Sequence, residues 1–187
     1  MSISNFKNLK AILFITLCVF VMDRTAGVIG NMIVNKSNFR YAKLYTGRLD
    51  MDVAIFGNSR GVHSFYAPEL SENLCRNVVN LSYNGLGIKV LEVIIRDVLE
   101  KTDGLDVAII EVTSVLSGNN SERQLAPFTP YSKNLTNFLN AQSDSIIPWR
   151  KLFTSYRLNG ELFYRVGFYI GRDDQSWINR GGGGYSR

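Results

Sequence analysis

The first apolar stretch of the chain predicts a helix in a membrane. An uncharged run covers residues 11–22, and a second apolar run covers 25–34 after the adjacent pair Asp23 and Arg24. Together the two runs are long enough to cross a bilayer as one helix, with the two charges tolerated near an interface. The first run alone has the length of a signal-peptide core, but no small-residue cleavage site follows it. The pattern favours residues 1–35 as an uncleaved signal anchor over a cleaved signal or a buried soluble helix.

The charges that flank this run indicate its orientation. Lys7 and Lys10 precede it and remain in the cytoplasm under the positive-inside rule, whereas Lys36, Arg40 and Lys43 follow it and weaken the asymmetry. We therefore predict a single-pass membrane protein whose α/β domain lies on the extracytoplasmic side, periplasmic or extracellular. The lipid bilayer is its first expected partner.

Beyond a polar connector at residues 36–50, helical around 39–45, three short apolar runs predict the strands of a sheet. Runs of this kind, bounded by turn residues, are typical of strands buried on both faces. The runs lie at residues 53–56, 78–82 and 105–112.

Two helices are predicted between these strands. Pro68 opens the first, at residues 68–74, and the second, at 88–101, carries apolar residues at helical spacing. Strands that alternate with helices indicate an α/β domain built on a parallel sheet with right-handed crossovers.

Polar turns follow each predicted strand, at residues 57–61, 83–87 and 113–120. Because parallel sheets bind ligands beyond the carboxyl ends of their strands, the three turns predict one site. Ser59 lies on the first turn, where its hydroxyl projects at the sheet edge and its own backbone N–H can stabilise an oxyanion. Gly85 on the second turn offers another backbone donor. This arrangement is suited to acyl transfer.

The pattern changes after residue 120, where helices are predicted near 131–140 and 149–170 and no strand is predicted. The second helical stretch is rich in aromatic residues. One interpretation is a helical insertion that packs on the sheet or at the membrane interface, and the other is a carbohydrate-binding surface. Its aromatic residues are Trp149, Phe153, Tyr156, Phe163, Tyr164, Phe168 and Tyr169.

Composition excludes several classes of function. The chain has 187 residues, which suits one domain with an appendage, and its formal net charge of +5 is scattered rather than clustered. A nucleic-acid partner is therefore not expected. One histidine and two cysteines without a Cys-x-x-Cys motif predict neither a metal site nor any other cofactor.

The residues around Ser59 resemble the first conserved block of the SGNH (GDSL-like) hydrolases, especially membrane-anchored members that modify cell-surface polysaccharides. That block is an apolar strand followed by Gly-Asp-Ser, with the serine as nucleophile. Residues 52–60 read Asp-Val-Ala-Ile-Phe-Gly-Asn-Ser-Arg, so Asn58 stands in place of the aspartate. Residues 80–85, Asn-Leu-Ser-Tyr-Asn-Gly, resemble the second block, whose glycine N–H joins the oxyanion hole. The resemblance covers about residues 50–120.

The later blocks of the family depart from this chain. In place of Gly-x-Asn-Asp after the third strand stands Glu111-Val-Thr-Ser, and Gly-Asn-Asn follows at 118–120, which leaves Asn119 as a weak oxyanion donor. The terminal Asp-x-x-His, which carries the general base, is absent. The one histidine is His63, four residues after Ser59. We expect a truncated family member or an inactive relative, and the glycine-rich end at 179–187 favours truncation.

The resemblance implies a flavodoxin-like three-layer parallel sheet, SGNH-like and incomplete, over residues 51–187, with residues 121–187 as its helical, aromatic-rich part. It implies Ser59 as the nucleophile, and Asn58, Arg60, His63 and Glu111 are candidate substrate-site residues.

The leading functional hypothesis is a membrane-anchored SGNH-like esterase or O-acyltransferase that acts on cell-envelope polysaccharide and is inactive as this truncated chain. Its partners would be that polysaccharide or an acyl-donor protein. The alternative is a non-catalytic, membrane-tethered glycan-binding or scaffold protein. A flavodoxin-like phosphate or nucleotide binder at residues 57–61 ranks last, because the chain lacks Gly-x-Gly-x-x-Gly and a P-loop lysine.

Overall fold

The computed structural model describes residues 3–112, 121–142 and 152–174. Helices and strands alternate after a long N-terminal helix, as the apolar pattern predicts. The α-helices are α1 (Ile3–Lys36), α2 (Arg40–Tyr45), α3 (Ser59–Ser64), α4 (Ala67–Leu74), α5 (Ile88–Lys101), α6 (Lys133–Gln142) and α7 (Glu161–Phe168). The strands are β1 (Val53–Phe56), β2 (Val78–Asn80) and β3 (Val107–Ile110), and two 3₁₀ helices cover Ser121–Tyr131 and Ser155–Leu158.

The N-terminal helix α1 is long and apolar enough to cross a membrane over Asn8–Lys36. Its 34 residues extend ~51 Å at ~1.5 Å per residue. Side chains between Leu9 and Met22 are largely exposed on all sides of the helix. The prediction of one apolar helix of membrane-spanning length is thus confirmed.

The sheet has the strand order β2-β1-β3, and β1 is parallel to both neighbours. Successive residues of β1 point to opposite faces. Ala54 and Phe56 join the larger core, which includes the apolar face of α5, whereas Val53 and Ile55 pack with Ala67 of α4 in a smaller core. Both faces of the central strand are therefore covered, which explains its continuous apolar sequence.

The segment after α1 belongs to the core, although its polar pattern predicted a connector with some helix. Phe39, Tyr41 and Tyr45 are almost fully buried. The Tyr45 ring stacks on Phe128 at 4.8 Å, and the Phe39 ring stacks on Tyr169 at 5.7 Å. These aromatic contacts join the 36–50 region to the part of the chain beyond residue 120.

The third strand differs most from its prediction. The sequence predicted a strand buried on both faces, but Val107 is 48% exposed and Ile110 is 47% exposed. β3 is at the edge of the sheet, and none of the other described segments pairs with its outer side. An edge strand with apolar residues on both faces is an unusual surface for a soluble domain.

Beyond residue 120, the predicted helix near 131–140 is confirmed as α6. The predicted helix near 149–170 is divided into the 3₁₀ helix Ser155–Leu158 and α7, with Asn159 and Gly160 between them. The only contact of strand type in the described part of this region is an isolated antiparallel bridge between Ile170 and Ser37. Trp149 lies outside the described residues.

Candidate functional site

The carboxyl ends of the three strands are joined by backbone hydrogen bonds. The Tyr83 amide donates to the Gly57 carbonyl at 3.1 Å, and the Glu111 amide donates to the Phe56 carbonyl at 2.8 Å. The first residues after β2 and β3 therefore flank the turn after β1 on both sides. The predicted convergence at one sheet edge holds for the turns after β1 and β2. The third turn, at 113–120, lies outside the described residues.

Two glycines let the three strand ends approach so closely. A Cβ atom on Gly57 would lie 2.8 Å from Glu111 Cβ, and one on Gly61 would lie 2.9 Å from Ser82 Cβ and overlap the Ser82 hydroxyl. Real Cβ atoms do not come so near to other heavy atoms, so any larger residue forces a shift. The Gly57–Gly61 turn is consequently wedged between the ends of the two neighbouring strands.

Ser59 is exposed and is the first residue of α3, a short helix that the sequence did not predict. The Asn58 side-chain oxygen accepts the Arg60 amide at 2.9 Å and caps this helix, so the cap is Asn58 and not Ser59. The sequence placed Ser59 on a turn outside any helix. The structure places it four residues before His63 within one helix, where residues i and i+4 share a face.

Asn80 positions this turn, a role that the sequence did not reveal. Its side-chain amide donates to the Gly61 carbonyl at 2.9 Å and to the Phe65 carbonyl at 3.2 Å, while its oxygen accepts the Ser82 amide. Asn80 is 5% exposed. A polar residue within an otherwise apolar strand is the signal that could have indicated such a role, because buried side-chain amides are almost always hydrogen-bonded.

Arg40 and Asp174 form a buried ion pair behind the turn after β2. The Asp174 carboxylate accepts the Arg40 backbone amide at 2.8 Å and its guanidinium at 3.4 Å. The guanidinium also donates to the Ser82 carbonyl at 3.0 Å. Both side chains are 4% exposed. The charge-assisted hydrogen bond from Arg40 therefore holds the Ser82 carbonyl in place within the protein interior.

A polar pocket of about 110 Å³ opens beside the turn that follows β2. The Glu161 carboxylate accepts the Arg165 guanidinium at 2.8 Å and the Tyr83 hydroxyl at 3.4 Å. Burial raises the pKa of Tyr83, which keeps that hydroxyl protonated and able to donate. The Gln124 side-chain oxygen is buried and accepts no hydrogen bond from the part of the chain that the structure describes. The lining residues are Val62, Tyr83, Asn84, Gln124, Glu161 and Arg165.

The predicted site residues are distributed as follows. Asn58, Ser59 and the Cβ of Glu111 lie around the Gly57–Gly61 turn, and Arg60 is exposed on it. Gly85 occupies an exposed turn with φ of +76°, a backbone conformation that favours glycine. Asn119 lies outside the described residues. Sequence reasoning missed Asn80, Ser82 and the residues from α7 that line the pocket.

Within residues 3–112, 121–142 and 152–174, no three His, Cys, Asp or Glu side chains are grouped as metal ligands would be. Comparison of the chain with protein-family models, with curated proteins and with solved structures found no match in any of the three. The functional argument therefore depends on the geometry of the site and on the sequence blocks that flank it.

Proposed function

We propose that the protein is a membrane-anchored serine esterase or O-acyltransferase of the SGNH type that acts on cell-envelope polysaccharide. The observation that carries the proposal is the position of Ser59. It is an exposed serine, the third residue after the central strand of a parallel sheet, and the ends of both neighbouring strands pack against its turn. Ligands of parallel sheets bind at this edge.

The proposed fold completes this picture. The order β2-β1-β3 is the beginning of the flavodoxin-like order, in which strands are added on one side of β1 first and on its other side from β3 onward, so that the strand order reverses between β1 and β3. Helices cover both faces of β1, as a three-layer sheet requires. A flavodoxin-like SGNH domain would add further strands on the exposed outer side of β3.

In the proposed reaction, the Ser59 hydroxyl attacks the carbonyl carbon of an acyl ester. The hydroxyl proton passes to a base, and backbone amides at Ser59 and Gly85 stabilise the tetrahedral oxyanion. Collapse of this intermediate breaks the ester bond, the base returns the proton to the leaving alcohol, and an acyl-enzyme forms. Water then releases the acid, or a sugar hydroxyl accepts the acyl group.

We propose His63 as the base that this chain itself offers, in place of the terminal Asp-x-x-His that the family resemblance leads us to expect. It is the one histidine in the sequence, and it lies one helical turn after Ser59 on α3. Helical side chains lean toward the N-terminus, which directs a residue at i+4 back over residue i. A positioned base contributes about 10²–10⁴-fold to such a step.

A serine-directed fluorophosphonate tests the nucleophile on the full-length protein in detergent. We expect labelling of the wild type and of Ser64→Ala, a control on an exposed serine of the same helix, and no labelling of Ser59→Ala. Equal labelling of wild type and Ser59→Ala, or none of the wild type, contradicts the assignment. His63→Gln should slow labelling strongly. If its rate equals the wild-type rate, the base lies elsewhere and Ser59 remains the nucleophile.

The polar pocket favours a second candidate function, a membrane-tethered glycan-binding module. Its lining combines a tyrosine hydroxyl, an amide oxygen and a carboxylate–guanidinium pair, which are groups that bind sugar hydroxyls. Calorimetry with acetylated and unacetylated oligosaccharides separates the two functions. Binding without any fluorophosphonate labelling favours the module, whereas labelling at Ser59 favours the enzyme.

A further inference from the structure

The one acidic residue within the apolar part of α1 is hydrogen-bonded by a distant segment of the chain. Asp23 is 6% exposed, and its carboxylate accepts the Thr154 amide at 2.8 Å, the Ser155 amide at 2.9 Å and the Ser155 hydroxyl at 2.6 Å. Three donors from residues 154 and 155 therefore replace the water that this charge would otherwise need.

The neighbouring Arg24, whose side chain is 45% exposed, is also hydrogen-bonded to this segment. Arg24 donates to the Leu152 carbonyl at 3.1 Å and to the Thr154 hydroxyl, and its guanidinium lies 4.7 Å from the centre of the Phe20 ring. Arg157 in turn donates to the Asn31 side chain at 2.7 Å. Asp23, Arg24 and Asn31 of α1 are thus each hydrogen-bonded to residues between 152 and 157.

Two small residues bring the segment into direct contact with the helix. A Cβ atom on Gly27 would lie 2.5 Å from a Thr154 methyl carbon, and one on Gly30 would lie 2.6 Å from Leu158 methyl carbons. Small residues that let backbones approach closely are typical of packing inside membranes. Residues 152–158 therefore lie along α1 from Asp23 to Asn31.

Apart from the exposed residues Arg24 and Thr25, much of the remaining surface of this unit is apolar. On α1, Val28 is 59% exposed, and Ile29 and Met32 are each 51% exposed. On the segment, Leu152 is 53% exposed and Tyr156 is 38% exposed. The apolar face that begins at Leu9 continues past the level at which the segment joins the helix.

The length of the span decides the depth of the segment. Residues 11–22 cover only ~18 Å, whereas the hydrocarbon core needs ~20 helical residues, or ~30 Å. Extension toward the N-terminus would bring Lys7 and Lys10 into hydrocarbon, which is costly. Extension toward the C-terminus, from residue 11 to 30, brings in only Asp23 and Arg24, whose charges are already bonded.

We propose that residues 152–158 are embedded in the membrane, lying beside α1 in the acyl-chain region of the leaflet nearest the α/β domain. The inference depends on the membrane-spanning role of α1 and is independent of the chemistry at Ser59. Backbone outside α-helices is tolerated at this depth where it packs on protein groups that bond it. Here Asp23 and Arg24 bond backbone groups of Leu152, Thr154 and Ser155. The occupant of the exposed apolar face is lipid.

Depth-dependent quenching tests this placement on the full-length protein in phosphatidylcholine vesicles. In a Cys18→Ala, Cys75→Ser background, single substitutions Tyr156→Cys, Phe20→Cys and Glu92→Cys carry an environment-sensitive fluorophore. Vesicles with brominated acyl chains should quench the labels at 156 and 20 to a similar extent and leave the label on α5, at 92, unchanged. Leu152→Cys repeats the test at a second exposed site should the substitution at 156 impair folding.

The outcomes separate this inference from the anchor itself. Quenching at 20 without quenching at 156 and 152 places the segment in water and overturns the proposal, while the anchor stands. The absence of quenching at all four positions overturns the membrane-spanning role of α1 together with the proposal. Fluorophosphonate labelling of Ser59 is unaffected by either result and reports separately on the enzyme.

Discussion

Substitution of Gly61 by alanine tests the close packing of the strand ends. The new Cβ would lie 2.9 Å from Ser82 Cβ and overlap the Ser82 hydroxyl, so one of the two turns must shift. Overpacking of this kind costs about 1–3 kcal/mol. Alanine also gains about 1 kcal/mol over glycine in a helix, which partly conceals the cost in the single variant.

A matched control removes that complication. Gly167 is also helical, in α7, and a Cβ atom there would meet no heavy atom within 4 Å. Gly61→Ala and Gly167→Ala gain the same helix propensity, so the difference in their free energies of unfolding isolates the clash. We expect Gly167→Ala to be the more stable by about 1–3 kcal/mol. Urea unfolding of both proteins in detergent, followed by circular dichroism, measures this difference.

A double-mutant cycle with Ser82→Gly identifies the atoms responsible. This change removes both the hydroxyl and the Cβ that the new methyl group would meet, and the Ser82 hydroxyl has no hydrogen-bond partner among the described residues. The double variant should recover most of the stability that the clash removes, with a coupling energy of at least about 1 kcal/mol between the two substitutions. Equal stability of the two single alanine variants, or additivity in the cycle, would refute the packing described here.

Three further predictions concern the cap, the buried ion pair and pH. Asn58→Ala should lower the free energy of unfolding by about 1 kcal/mol through loss of the α3 cap, whereas Asn58→Asp keeps the acceptor and should retain it, as urea titrations of both would show. Asp174→Ala removes the carboxylate partner of buried Arg40 and should lower the free energy of unfolding by about 3–5 kcal/mol. The control Asp173→Ala, at an exposed residue, should lower it by less than about 1 kcal/mol. Similar losses for the two variants would contradict the burial of the Arg40–Asp174 pair. Burial raises the pKa of Tyr169 to about 12, above its ordinary value of 10.0. Because the pKa of Tyr169 is higher in the folded state than in the unfolded state, the contribution of this residue to the free energy of unfolding is complete below pH 10.0 and is lost as pH rises through about 12. Urea denaturation at a series of alkaline pH values measures this loss.

The parts of the fold that follow from periodicity could be read from the sequence. The apolar residues of 88–101 recur at helical spacing, and α5 has those bounds. The central strand is apolar on both faces because helices cover both of them. The helix that is long and apolar enough to span a membrane is equally clear, since only a long and largely apolar run is involved.

Features that depend on contacts between distant residues could not be read in this way. α3 is capped by Asn58 and contains a glycine, a residue that lowers helix propensity, so no local pattern announced it. The burial of Phe39 and Tyr41 is caused by partners about 90 to 130 residues away, Phe128 and Tyr169. β3 has the composition of a central strand, but its place at the sheet edge depends on pairing that composition does not encode.

For the candidate site, local sequence pointed to Ser59, Asn58 and the turn glycines. It did not reveal Asn80 as the residue that ties the turn to β2, because a lone amide in a strand has many possible bonds. Local sequence also did not indicate that Glu161 and Arg165 line the pocket, since α7 lies about 100 residues further along the chain than α3.

The connection between α1 and the sheet, residues 37–52, is short and is held by hydrogen bonds to neighbouring segments. The Asn38 amide donates to the Tyr169 carbonyl at 3.1 Å, and Arg48 donates to the Ser37 carbonyl at 2.7 Å. An enzyme on a flexible stalk can search a thick layer of polymer, whereas one held by such a connection works at a single height above the bilayer. Ser59 would then meet only those chains that pass close to the membrane surface, such as polymers in the course of assembly or export.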